Sequence, residues 1–183
     1  VRIFRICARS LTKSYSLVIF FIFLASCSSL DKKAHFKISD DLLVTQINDR
    51  SFTITDTAFY STNVFVSKMP EDTVVIVSSF IDTVRTQQMI NWVKESLKPR
   101  KMVAINTHFH ADGTGGNEGY TQNNIETWST TETHTLYQQR ADSMQSSLAQ
   151  FVKDDRISKY VLERKNVPAQ KFFEAKEGQH WTF

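Results

Sequence analysis

The sequence of 183 residues predicts an α/β domain, on three observations. Strand-like runs separated by turn residues come first, a helical period follows them, and another short apolar run comes after the helix. The first runs cover residues 42–47, 51–55, 62–69 and 73–79. Residues 48–50 (NDR) separate the first two runs, and residues 70–72 (PED) separate the last two. Both links are typical of turns, so each pair of runs predicts a hairpin.

The next segments predict a strand, a helix and a strand. Residues 84–97 carry apolar side chains at helical spacing, with Asp82 or Thr83 placed to cap the helix and Pro99 placed to end it. Residues 101–106 (KMVAIN) form the second apolar run. Short links around a helix predict that the strands are parallel neighbours, and the β-branched residues 74–77 predict a strand buried on both faces.

The second half of the chain is mainly helical. Residues 125–128 (IETW) are strand-like, and two helical segments follow, separated by a charged break at residues 153–156. One face of the first segment carries Leu136, Ala141, Met144, Leu148 and Val152. Residues 167–183 predict two strand-like pieces around Gly178.

Residues 1–27 have the pattern of a targeting segment. Basic residues precede the apolar run 16–25, which is too short to span a bilayer comfortably and ends in LASC. This ending resembles the lipobox of bacterial lipoproteins, which implies lipidation of Cys27 and a polar linker over residues 28–40. Ser28 then implies a periplasmic location at the outer membrane. An ordinary signal peptide, with Cys27 incidental, is the alternative.

Composition excludes some functions. The formal charge is +3, with no zinc-finger spacing and no basic stripe with interleaved aromatic residues, so nucleic acid is not an expected partner. The two cysteines are Cys7 and Cys27, so the folded domain offers no thiolate.

The strongest chemical signal is VAINTHFHADGTGGNEGY, residues 103–120. It begins in an apolar run and places His108, His110 and Asp112 just past the carboxyl end of an interior strand, where α/β sheets bind ligands. In an extended stretch, residues two apart project to the same side and can reach one ion. Imidazole and carboxylate suit zinc. The loop glycines that allow tight turns and close backbone approach are Gly113, Gly115 and Gly116. A surface loop with two solvated histidines is the alternative.

The segment THFHADGTGGNE resembles the His-x-His-x-Asp signature of the metallo-β-lactamase superfamily. The resemblance extends over roughly residues 42–183 and includes the segments DTAFYSTNVFVSKM, TVVIVSS, VAINTHFH and ETWS. The segments look most like class B β-lactamases of the di-zinc subclass, SPM-type. Gly113 stands where glyoxalase II and the tRNA-processing nucleases usually carry a histidine. The resemblance implies an αββα sandwich, of which residues 41–183 would supply the first αβ half.

The activity implied is zinc-dependent hydrolysis of the β-lactam amide of penicillins, cephalosporins and carbapenems, which confers antibiotic resistance. Two zinc ions per complete, monomeric enzyme are implied. His108, His110 and a third histidine would bind one zinc, and Asp112, as a catalytic residue, would bind the other. The remaining ligands are expected beyond Phe183, because His35 falls in the linker, His134 on a solvated helix and His180 in a terminal strand-like piece. Two alternatives stay open, namely another metallo-hydrolase of this fold, acting on thioesters or phosphodiesters, and a non-catalytic lipoprotein binding module.

Overall fold

A computed structural model describes residues 34–176. In this range one mixed sheet has eight strands that lie side by side in chain order. The strands are β1 (His35–Lys37), β2 (Leu42–Asn48), β3 (Ser51–Asp56), β4 (Asn63–Lys68), β5 (Thr73–Val77), β6 (Lys101–Ile105), β7 (Glu126–Thr130) and β8 (Lys171–Phe173).

Connection length decides how the strands pair. β1 to β5 are joined by short links and pair antiparallel. β5 to β8 are joined through helices and pair parallel. Both predicted hairpins and the predicted parallel neighbours are therefore confirmed. Of the two strand-like pieces predicted in residues 167–183, the first contains β8. Gly178, around which the two pieces are predicted, lies outside the described residues.

Within residues 34–176, five α-helices connect or follow the strands. They are α1 (Thr83–Trp92), α2 (Ala111–Thr114), α3 (Asn117–Gln122), α4 (Thr131–Phe151) and α5 (Asp155–Glu163). Asp82 caps α1 by accepting a hydrogen bond from the Arg85 N–H, as predicted. The predicted helix continues beyond α1 as a π-helical turn, Val93–Leu97, and stops where Lys98 adopts a left-handed conformation. No helix within residues 34–176 is both long enough and apolar enough to cross a membrane.

The main core lies on one face of the sheet. Leu42, Ile54 and Ile76 point to this face from their strands and pack with Met89 and Ile90 of α1. All five are fully buried. A second, smaller cluster lies beneath α4 and α5 and is made of Ile81, Ala149, Ile157 and Val161.

Three sequence expectations differ from the structure. β5 alternates in burial, because Val74 and Ile76 are buried whereas Val75 and Val77 are half-buried, so it is not buried on both faces. β1 lies inside the segment predicted as linker, since it pairs with β2 and its His35 Nδ1 lies 3.0 Å from Thr45 Oγ1. His134 is half-buried instead of solvated, because its ring stacks on Phe172 at 4.3 Å between centroids.

The other face of the sheet carries a row of partly exposed apolar side chains. Phe65, Val77, Ile105 and Trp128 are direct neighbours across four adjacent strands. Phe65 is 38% exposed, and the other three are half-buried. We call these four residues the open-face row.

We expect residues 28–183, expressed alone, to self-associate through the open-face row, because an exposed apolar sheet face promotes aggregation. Phe65→Lys should raise the monomer fraction measured by light scattering after size exclusion. Leu162→Lys is the matched control, since Leu162 is 58% exposed but lies on α5. A wild-type chain that stays monomeric, or equal effects of the two substitutions, would contradict this expectation.

Candidate metal centre

The structure brings together the three residues predicted as metal ligands. His108, His110 and Asp112 offer ligand atoms that all lie within 4.8 Å of one another. His108 Nε2 is 3.0 Å from Asp112 Oδ1. The two imidazole rings lie nearly perpendicular, at 89°, with centroids 5.3 Å apart. The cluster lies beyond the carboxyl end of β6, at the position the sequence predicts.

The backbone achieves this convergence differently from the prediction. His110 is extended (φ −70°, ψ 166°) and is the N-cap of α2, so the chain turns into a helix directly after it. Asp112 therefore lies in the first helical turn, and its carboxylate faces back toward His108, four residues earlier. The expectation of one extended stretch is wrong for Asp112, because a helix start, and not strand alternation, aims its side chain.

Close backbone packing holds the loop in place. A Cβ atom on Gly113 would lie only 2.5 Å from the carbonyl oxygen of His108, so a side chain there would displace that residue. Gly115 and Gly116 have negative φ angles, so they serve close approach and not a left-handed turn. Ser79 anchors the loop to the end of β5, since its N–H donates to the Asp112 carbonyl and its Oγ accepts from the Gly116 N–H.

Two hydroxyl groups line the other side of His108. Thr107 Oγ1 lies 3.0 Å from His108 Nδ1, and Ser78 Oγ lies 2.9 Å from Thr107 Oγ1. Ser78 has a positive φ of 73°, which is unusual for a residue with a side chain. The phenol of Tyr120 holds it there by donating to the Ser78 carbonyl. Burial raises the pKa of Tyr120, so its hydroxyl keeps the proton that it donates.

Sequence reasoning did not identify Ser78, Ser79, Asn106 or Thr107. A signal was available, because these polar residues directly follow the apolar runs of β5 and β6. The carboxyl ends of neighbouring parallel strands meet at one sheet edge, so such residues are expected to meet there.

An apolar recess lies beside the candidate ligands. Its volume is about 260 Å³, and it borders His110 and Asp112 directly. The rest of its wall comes from the β3–β4 loop, α4 and the segment before α1, and consists mainly of Phe59, Thr62, Ile81, Met144 and Leu148. An apolar group placed in this recess would lie next to the candidate ligands.

The donor set fits a divalent metal such as zinc. Two imidazoles and one carboxylate are typical zinc ligands, and three protein ligands leave a position for water or substrate. The side chains of His108 and Asp112 are 37% and 45% exposed, so an ion can reach them. Within residues 34–176 no other group of three histidine, cysteine or acidic side chains meets at metal-binding distance. His35 and His134 lie in other contacts, and His180 is outside the described range.

Comparison with known proteins finds similarity to two metallo-β-lactamases. No protein-family model matches the chain. A metallo-β-lactamase type 2 of Bacteroides fragilis is 29% identical over an alignment of 94 residues, and the match covers 47% of this chain and 36% of that protein. A metallo-β-lactamase crystal structure from Erythrobacter litoralis, with β-mercaptoethanol in its active site, is 19% identical and has a TM-score of 0.52. The structural match covers 59% of this chain and 49% of that chain.

The fold resembles that of a metallo-β-lactamase. The matched regions span about a third to a half of these two metallo-β-lactamases, and together the matches support a relationship to the metallo-β-lactamase superfamily. The SPM-type assignment, the di-zinc subclass and the metal-binding roles of His108, His110 and Asp112 stay predictions.

Proposed function

We propose that this chain carries the metal-binding loop of a zinc-dependent hydrolase that opens the β-lactam amide bond. The observation that carries the proposal is the cluster of His108, His110 and Asp112 at the carboxyl edge of the parallel strands. It is supported by the likeness to two proteins that are named as metallo-β-lactamases.

Each residue has a definite task in this proposal. His108 and His110 would supply two neutral nitrogen ligands to one zinc ion, and Asp112 would supply a carboxylate oxygen to a second ion of the complete enzyme. A zinc ion bound at such a site supplies Lewis acidity and lowers the pKa of water for attack on an amide carbonyl. Thr107 would hold His108 by its Nδ1 side, so that Nε2 stays directed at the cluster.

The recess beside the cluster supports a small-molecule substrate with an apolar group near the scissile bond. Apolar pockets with a few convergent polar groups are typical of small-molecule sites, and here the polar groups are the candidate ligands. Penicillins, cephalosporins and carbapenems all carry a side chain next to the lactam ring.

Turnover of nitrocefin and imipenem by the complete protein tests the proposal, with and without prior removal of metal by a chelator. We expect hydrolysis that chelation abolishes and added zinc restores. Zinc binding without β-lactam turnover, but with cleavage of a thioester or a phosphodiester, would favour another metallo-hydrolase. Zinc binding without any turnover would favour a binding module.

We also propose that the mature chain is anchored to the periplasmic face of the outer membrane through a lipid on Cys27, which lies outside the described residues. Cys27→Ala should move the protein from the membrane fraction to the soluble periplasmic fraction, since it removes the attachment atom. Cys7→Ala is the matched control and should leave fractionation unchanged. A wild-type protein that is already wholly soluble would contradict the anchor.

A further inference from the structure

We propose that Asn106 and Asn117 are positioning residues that fix the metal-binding loop, an inference that rests on the proposed function. Asn106 directly follows β6, and Asn117 begins α3. Their side chains form a reciprocal amide pair, which we call the amide clamp. It joins the residue two before His108 to the residue five after Asp112.

All four side-chain N–H groups of the amide clamp donate hydrogen bonds. Asn106 Nδ2 donates to Asn117 Oδ1 at 2.9 Å and to the Gly113 carbonyl oxygen at 2.7 Å. Asn117 Nδ2 donates to Asn106 Oδ1 at 2.9 Å and to the Val167 carbonyl oxygen at 3.0 Å. The two residues are therefore bonded to each other, and each also holds one separate piece of backbone.

Burial makes these bonds hard to replace. Asn106 is 2% exposed and Asn117 is 1% exposed, so water is not available as a substitute partner. A buried polar group that loses its partner is costly, and a fully bonded buried network is correspondingly rigid. The position of the Gly113 peptide is thus determined by the amide of Asn106.

Gly113 in turn contacts His108. The Cβ position of Gly113 lies 2.9 Å from His108 Nδ1 and 3.0 Å from His108 Cε1, so the glycine backbone lies directly against the imidazole. A shift of the Gly113 peptide would change the space available to that ring. Since His108 Nε2 is directed at Asp112, the amide clamp acts on the geometry of the cluster through Gly113.

The two halves of the amide clamp have different targets, which provides a matched test. Asn106→Leu removes the bond to Gly113 next to the cluster. Asn117→Leu leaves that bond possible and removes the one to Val167, which lies after α5. Leucine has nearly the shape of asparagine, so the two variants are similar in size, charge and burial. A purely structural role predicts equal effects, whereas a positioning role predicts unequal ones.

The first measurement needs no metal. In the metal-free chain, the nuclear Overhauser effect between the Gly113 Hα protons and the His108 Hε1 proton reports their contact. We expect Asn106→Leu to weaken it strongly and Asn117→Leu to leave it near the wild-type intensity. Equal intensities in the two variants would overturn the proposal.

The second measurement is zinc affinity, by competition with a chelator. We expect Asn106→Leu to lower the zinc affinity by about 10- to 100-fold, the range for residues that orient metal ligands. The fold-loss for Asn117→Leu should be less than a third of the fold-loss for Asn106→Leu. If a leucine variant does not fold, the serine pair Asn106→Ser and Asn117→Ser replaces it. Equal losses would overturn the clamp. A wild-type chain without zinc affinity would instead contradict the proposed function, while the Overhauser result still decides whether the clamp positions His108.

Discussion

His110→Ala is expected to abolish β-lactam hydrolysis by the complete protein while leaving its fold intact. His110 is exposed and contributes one of the three ligand atoms within 4.8 Å, so its removal takes away one of the two imidazoles that the proposal assigns to the first zinc. We expect zinc affinity to fall by more than about 100-fold, beyond the loss typical of a residue that only orients a ligand. Nitrocefin kinetics and zinc content after dialysis measure the two effects, and circular dichroism checks the fold.

His35→Ala is the matched control, because His35 is also exposed but contacts Thr45 on the edge of the sheet. It should keep zinc content and turnover. A His110→Ala protein that retains most of its zinc and its nitrocefin rate would contradict both the metal site and the proposed function.

Arg85→Ala is expected to lower the free energy of unfolding by about 3–5 kcal/mol, the range for breaking a buried charge network. Arg85 is 1% exposed and contacts the carboxylates of Asp41, Asp56 and Asp82. Asp56 and Asp82 are fully buried, so without Arg85 their charges lose the cation that offsets them. The contact between Arg85 Nε and Asp56 Oδ2 is 2.9 Å but is not an aligned hydrogen bond, so it acts mainly through charge.

The loss in free energy of unfolding caused by Arg85→Ala should grow as the pH rises. Burial raises the pKa of Asp56 above 3.8, and Arg85 partly opposes that rise. A raised pKa means that the folded state holds the proton more tightly than the unfolded state, so stability falls as pH rises through that range. Loss of Arg85 removes the opposing cause and raises the pKa of Asp56 further. The variant should therefore be closest to wild type near pH 4 and furthest from it at neutral pH.

Urea unfolding at a series of pH values measures this deficit. Lys159→Ala is the control, because its ion pair with Glu163 is exposed and 3.8 Å long, and such pairs contribute about 0–1 kcal/mol. A similar cost for both substitutions, or a deficit at position 85 that shrinks with rising pH, would contradict the assignment. The same network also supports the site, since Asp56 Oδ1 accepts from the N–H groups of Ala58 and Phe59 in the loop beside the recess.

Local patterns determined much of this fold. The hairpins, α1 with its Asp82 cap and the parallel pair β5–β6 follow from turn residues, capping chemistry and apolar spacing, all of which act over a few residues. The same local information placed His108 beyond the carboxyl end of a strand. The sequence alone therefore determined at which edge of the sheet His108, His110 and Asp112 would lie, and their roles as metal ligands stay predictions.

Tertiary structure decided how those side chains meet. Asp112 faces His108 because α2 begins directly after His110. We attribute this start to Ser79 and the amide clamp, which hold the backbone of α2 from other elements. The burial of β5 on one face, the strand at His35 and the ring stack of His134 also depend on partners distant in sequence. The hydrogen bonds among these contacts join residues 7 to 37 positions apart. Their formation depends on the packed arrangement of whole elements, which no short stretch of sequence specifies.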